Sequence, residues 1–253
     1  MFADTWFLFN KYMKISIRMP LWSLFGLIQP LLWLFIFGSL FKYFASLPGF
    51  PADTYIDYFL PGVLIMTILF GSSWAGVSLL REINAGTVDK MLVSPVSRTA
   101  IVLSRVLHSA IQAVLQAIIV LIAAWFMGAT TNMNPAYLGL AILVILLLGI
   151  AFAALSNGLA IMLQREEPLV VMGNLMTLPL MFFSSAMVPQ QFMPEWIATI
   201  AVVNPIEYAV MAVRAILETE PQWDLFFKGF GVTLLFAIGT LYWAVSAFKT
   251  LRD

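Results

Sequence analysis

The chain has no cysteine, one histidine and only 10% charged residues among its 253. Without cysteine there can be no disulfide, thiolate metal site or cysteine nucleophile, and cysteine usage says nothing about the redox compartment. An ordinary soluble domain carries roughly 25% charged residues. The shortage of charge, beside a hydrophobic content of 62%, therefore excludes a soluble globule. A formal net charge of +0 offers no bulk attraction to nucleic acid. The sequence contains no GxxxxGK[ST] phosphate loop, which excludes ATP hydrolysis by that route, and no HExxH or paired intramembrane aspartate. The apolar stretches also lack the period-two alternation of a membrane β-barrel.

What is present is a series of apolar runs of about 20 residues, the length a bilayer demands of a helix. They predict an all-α membrane protein with six transmembrane helices, over 21–41, 58–80, 106–127, 137–163, 169–188 and 229–248. Ahead of them, residues 1–20 read as an amphipathic interface helix, with Phe2, Trp6, Phe9, Met13 and Ile17 at helical spacing and Asp4, Lys11, Lys14 and Arg18 opposite. The alternative is a basic flank that orients the first span. That flank resembles a signal peptide, but the run after it is too long and lacks a small-residue cleavage site, so it reads as a retained signal-anchor. Pro30 and Pro179 fall mid-span, where each removes a helical hydrogen bond and is expected to kink its helix.

Orientation follows from the basic residues. With the N-terminus inside, Lys11, Lys14, Arg18, Arg81, Lys90, Arg98, Arg105, Arg165, Lys249 and Arg252 are cytoplasmic, and of thirteen basic residues only Lys42, Arg214 and Lys228 lie outside. Both termini are then cytoplasmic, as are a long charged loop over 81–105 and a short one over 164–168. On the outer side, Pro189, Pro194 and Pro205 divide 189–228 into two short apolar stretches, 195–203 and 206–217. These predict a re-entrant or interfacial helical hairpin between spans five and six. Glu207, Arg214 and Glu218 share one helix face, which reads as a solvated face, with pairing among the three as the alternative.

No charged residue lies in the middle of a predicted span, so there is no buried ion site of the kind that ion-coupled carriers use. Polar groups in the spans include Gln112, Gln116, Asn157 and Asn174, with His108 near the cytoplasmic end of span three. Gln112 and Gln116, one turn apart, bond a neighbouring helix or line a polar path. His108 reads as an interfacial or packing residue. Gly71, Ser72, Ser73 and Gly76 allow close helix approach. No repeat relates the two halves.

The charged loop reads Arg81, Glu82, then Gly86, Thr87, Asp89, Met91, Leu92, and Ser94, Pro95, Val96, Ser97, Arg98. It resembles the cytoplasmic loop of the ABC-2 type export permeases, in particular the daunorubicin-resistance and nodulation-exporter branches, with Asp89 in place of the usual Glu and Met91 in place of Leu. Asn204, Pro205, Ile206, Glu207 and Tyr208 are similar to another of the family's motifs, although Glu207 is unusual there. The resemblance covers the whole chain. It implies a single transmembrane domain over 1–253, in a prokaryotic cytoplasmic membrane, acting as a homodimer with two copies of a separate ABC ATP-binding subunit. That subunit would hold ATP and Mg; this chain would have no catalytic residues, cofactor or metal.

The loop would form a coupling helix through Arg81, Glu82, Gly86, Thr87, Asp89, Ser94, Pro95 and Arg98, with Arg165 and Glu166 in a smaller second contact. The substrate path would run at the dimer interface along Met66, Phe70 and Trp74 of span two and Met181, Phe182 and Phe183 of span five. Its cargo would be an amphiphilic or hydrophobic drug, lipid or glycan-like molecule. Competing readings are an ATP-independent channel, an ion-coupled secondary transporter, and an intramembrane enzyme or scaffold.

Overall fold

A computed structural model describes residues 2–18, 20–93, 95–132 and 134–249. The regular structure among these residues is helical, without strands. In chain order the α-helices are α1 (Phe2–Arg18), α2 (Pro20–Leu40), α3 (Tyr55–Ser73), α4 (Ala75–Asn84), α5 (Thr87–Leu92), α6 (Arg98–Phe126), α7 (Pro135–Leu163), α8 (Glu166–Phe182), α9 (Glu195–Ala201), α10 (Pro205–Leu217) and α11 (Trp223–Lys249).

Local chemistry sets where several of these begin. Thr54 caps α3, its hydroxyl accepting from the Asp57 N–H, and Ser97 caps α6 by accepting from the Ala100 N–H. Asn134 and Asn204 cap α7 and α10, each followed by a proline in the first helical turn, where a missing N–H costs nothing. The helix α7 is apolar on every side, as a helix enclosed by neighbours must be, and α11, α6, α3, α10 and α4 all pack on it.

Four helical segments are long and apolar enough to cross a membrane: residues 55–84, Arg98–Phe126, Pro135–Leu163 and Trp223–Phe248. The pair α9 and α10 meets the same test only jointly and bends by 86°. The described apolar part of α2 is shorter, Gly26–Leu40. The predicted fifth span, 169–188, ends as a helix at Phe182. Pro179 therefore lies in the last turn of α8 rather than mid-span, and Ser184 and Ser185 after it turn inward, both buried. The predicted third and sixth spans start several residues earlier than hydropathy suggests, because caps and packing, not lipid, decide where a helix begins.

The predicted second span is broken at Trp74, between α3 and α4. A single hydroxyl from α7 repairs the break: Ser156 Oγ donates to the Ser73 carbonyl at 2.6 Å and accepts from the Gly76 N–H at 2.9 Å. Only glycine fits at 76, where a Cβ would lie 2.1 Å from the Ser156 carbonyl oxygen. The small-residue stretch around Gly71 to Gly76 thus serves close approach, as its composition predicts.

Candidate functional site

Beyond Trp74, α4 carries Arg81 and Glu82 out of the bundle. The chain then turns at Gly86, which adopts the left-handed region at φ 67°, into the single-turn-and-a-half helix α5. No atom lies within 4 Å of a Cβ added at Gly86, so the glycine serves the turn and not a close contact. Val88 anchors α5 in an apolar cluster with Leu79, Leu80, Ile101 and Phe248. Asp89, Lys90, Val93, Pro95 and Arg98 are exposed, and Thr87 is half-buried at the start of α5. Ser94 lies outside the described residues. Helices α4 and α6 therefore reach into the predicted 81–105 loop, to Asn84 and from Arg98, with α5 between them.

Two of the charged positions have roles that a solvated loop does not require. Arg105 sits two turns into α6, is 5% exposed, and pairs directly with Glu82 of α4. Its guanidinium lies 4.9 Å from the ring centroid of Tyr12 on α1, and the Tyr12 hydroxyl donates to Glu82 at 3.2 Å. Arg105 thus belongs to a buried junction of three helices. Burial pushes the Tyr12 phenol up to about 12, against the lowering influence of Arg105, so it remains a donor at neutral pH. One turn along α6, His108 shares a 2.8 Å hydrogen bond with Ser16 of α1. The face of α1 that docks is Leu8, Phe9 and Tyr12, which takes in Phe9 of the predicted stripe, while Phe2, Trp6 and Ile17 of that stripe stay exposed.

The two predicted cytoplasmic loops meet. Arg81 Nε lies 3.3 Å from Glu166 at the start of α8, an exposed ion pair worth about 0–1 kcal/mol. Arg165 beside it is exposed. Arg81, Glu82, Arg105, Arg165 and Glu166 consequently gather at one end of the bundle, with α5 projecting beside them.

The proposed path residues do not form one surface within the chain. Met66 and Met181 are buried in a common apolar core, with Phe70 packed against it. Trp74 opens on a separate cleft, Phe182 faces outward, and Phe183 meets Trp196 of α9 edge-on at 6.0 Å.

At the other end of α3, the face of α10 expected to be solvated is buried at Glu207 and half-buried at Arg214 and Glu218. Glu207, 7% exposed, accepts from the Ser185 N–H, from its hydroxyl at 2.8 Å and from Gln190 at 3.0 Å. Arg214 donates to the Ser185 carbonyl at 2.7 Å and to its hydroxyl at 3.0 Å, and lies 4.0 Å from the Tyr58 ring centroid. Glu207 and Arg214 are linked through Ser185 rather than paired directly, while Glu218 takes Gln222 instead. At Glu207 and Arg214 the face is polar because it receives the turn after α8. Spacing on α10 identified two members of this cluster; nothing in the local sequence points to Ser185 or Tyr58, nor to Ser156 at the break.

Comparison with known proteins fits this architecture. Residues 3–217 match the ABC-2 type transporter family. The chain is 33% identical over 209 residues to ycf38 of Porphyra purpurea, named as a proposed transport permease, covering 82% of this chain and 71% of that one. It is 26% identical over 233 residues to the daunorubicin resistance ABC transporter permease protein DrrB1 of Streptomyces coeruleorubidus, covering 89% and 76%. With a family match that takes in its helices from α1 to α10, the chain belongs to the ABC-2 type transporter family.

Proposed function

We propose that this chain is the membrane-spanning permease subunit of an ATP-driven exporter, energised by a separate ABC ATP-binding subunit that holds ATP and Mg. In this reading two permeases and two ATP-binding subunits assemble, and α2 and α8 join the four long segments to make six spans in one domain over 1–253. The bent pair α9–α10 forms a re-entrant hairpin, and both termini are cytoplasmic in a prokaryotic inner membrane. The cargo is amphiphilic or hydrophobic. Its route lies between the two permeases, along Phe70, Trp74, Phe182 and Phe183, with Met66 and Met181 behind them.

The observation that carries the reading is the rod formed by α3 and α4. Its outer part is in the bundle core; its inner part ends in α5, an anchored helix with an exposed rim of Asp89, Lys90, Val93 and Pro95. A helix seated in a cleft of an ATPase transmits closure only if it is held rigidly to the spans. Val88 and the Glu82–Arg105–Tyr12 junction supply that rigidity. Arg81, Gly86, Thr87, Asp89, Ser94, Pro95 and Arg98 form the contact, and Arg165 and Glu166 a smaller second one.

The test uses the chain co-purified with its ATP-binding subunit in nanodiscs. Val93→Asp is expected to leave insertion and thermal stability unchanged while permease-dependent ATPase activity falls about tenfold, the equivalent of about 1.4 kcal/mol at the contact. Unchanged ATPase activity, or the absence of any co-purifying ATP-binding subunit, overturns the reading.

A further inference from the structure

The helix α6 carries a polar stripe that neither capping nor the loop explains. His108, Ser109, Gln112 and Gln116 lie three, four, seven and eleven residues on from Arg105, so the five share a face and extend about 16 Å along the axis. Opposite them lie Tyr12, Ile15 and Ser16 of α1 and, across the break in the second span, Gly71, Trp74, Ala75 and Ser78. Together they enclose a cleft of about 270 Å³. Its deep end is closed by Gln116, which sits between Gly71 and Gly26 at distances where a Cβ on either glycine would lie 3.1 Å from the amide. Trp74, 57% exposed, forms part of its wall.

Polar groups at membrane depth persist when something satisfies them, since an unmet donor or acceptor away from water costs several kcal/mol. Here, among the described residues, two half-buried groups and one buried donor make no bond within the chain. Ser109 and Gln112 make no side-chain hydrogen bond, and the buried Nε–H of Arg105 has no partner. The charge of Arg105 is already balanced by Glu82 and lies over Tyr12, so the cleft offers no net charge to a ligand. What it offers is a row of neutral donors and acceptors leading from the end near Arg105 toward the middle of α6, with the exposed indole of Trp74 on its wall.

We propose that this cleft takes the neutral, hydroxyl-rich headgroup of an amphiphile from the inner leaflet while its apolar tail stays in lipid. Gln112 and Ser109 hydrogen-bond the headgroup, and Trp74 stacks on the ring. The cleft lies beside the break stitched by Ser156, so an occupant touches both α6 and the rod that carries α5. The assignment of this cargo class rests on the exporter reading, but binding itself requires only this chain.

The experiment therefore uses the chain alone in nanodiscs with a photoreactive alkyl glucoside, and locates adducts by mass spectrometry. Adducts are expected to concentrate on residues 74–78 and 105–116 and to be competed by octyl glucoside. Gln112→Leu and the milder Ser109→Ala are each expected to reduce them about fivefold, as loss of one hydrogen bond implies, with unchanged melting temperature. Adducts spread evenly over the lipid-facing helices, adducts unaffected by Ser109→Ala, or competition by an alkyl phosphate but not by octyl glucoside would each overturn the proposal. Groove labelling that persists where no ATP-binding subunit associates would leave this inference standing and remove only the exporter reading.

Discussion

The two ends of the α3–α4 rod carry the same kit of side chains arranged to different effect. Near Glu82, a buried arginine lies over a tyrosine ring and pairs directly with a glutamate. Near Tyr58, Arg214 lies over a tyrosine ring too, but Ser185 stands between it and Glu207. In the Ser185 cluster the backbone of a turn is the object being held, and serine, carboxylate and guanidinium all bond to it. In the Arg105 junction, side chains from α1, α4 and α6 hold only one another; the arginine Nε–H is without a partner in both clusters, so that feature does not separate them. The first arrangement is a lock on chain geometry; the second is a joint between helices that also borders an open cleft. A transport cycle of the proposed kind needs both, one fixed end and one able to pass on movement.

The largest expected effect tests the lock. Glu207→Ala strips the Ser185 N–H, its hydroxyl and Gln190 of their acceptor and leaves Arg214 uncompensated, at a cost of about 3–5 kcal/mol. Thermal unfolding in detergent should show it, and Arg214→Leu added to it should restore little, because the serine backbone stays unsatisfied.

The joint should behave otherwise. Arg105→Leu alone is expected to destabilise by about 3 kcal/mol by stranding Glu82, whereas the double change with Glu82→Leu should regain most of that loss, as replacement of a buried ion pair by apolar groups does elsewhere. Equal costs for the single and double variants would erase the distinction between the two clusters.

Between them, Gly76→Ala forces α4 away from α7 at Ser156 and should cost about 1–3 kcal/mol. It should also weaken ATPase coupling more than its effect on stability alone predicts, since it separates the rod from its stitch. The smallest effect on stability is expected at Gly86, where space is free and only the positive φ resists a side chain. Gly86→Ala should cost about 1 kcal/mol in unfolding experiments yet reduce ATPase stimulation clearly, because it displaces α5.

Much of this was legible from residue order. Hydropathy located the long helices, and the Gly-Thr and Ser-Pro-Val-Ser-Arg pattern marked the loop that later proved to contain an anchored helix. Glycines and serines from 71 to 76 announced a close approach, and Gly76 makes one. Errors arose where a local pattern had to stand for a distant partner. Arg105 looked like one more loop charge because Tyr12 and Glu82, which bury it, lie 93 and 23 positions away. The polar face of α10 looked solvated because its counterpart, the turn at Ser185, has no signature of its own.

The sequence by itself determined the class of molecule: lipid-length apolar runs with so little charge permit only a helical membrane protein. It also determined the charged loop, since such residues cannot rest in hydrocarbon without a partner. Only the tertiary structure decided which polar residues have such partners. Buried hydrogen bonds and ion pairs join positions far apart in the chain, and no periodicity encodes them. Arg105, Glu207 and Ser156 therefore acquired their roles as junction, lock and stitch only once α1, α4, α7 and the turn after α8 were brought against them.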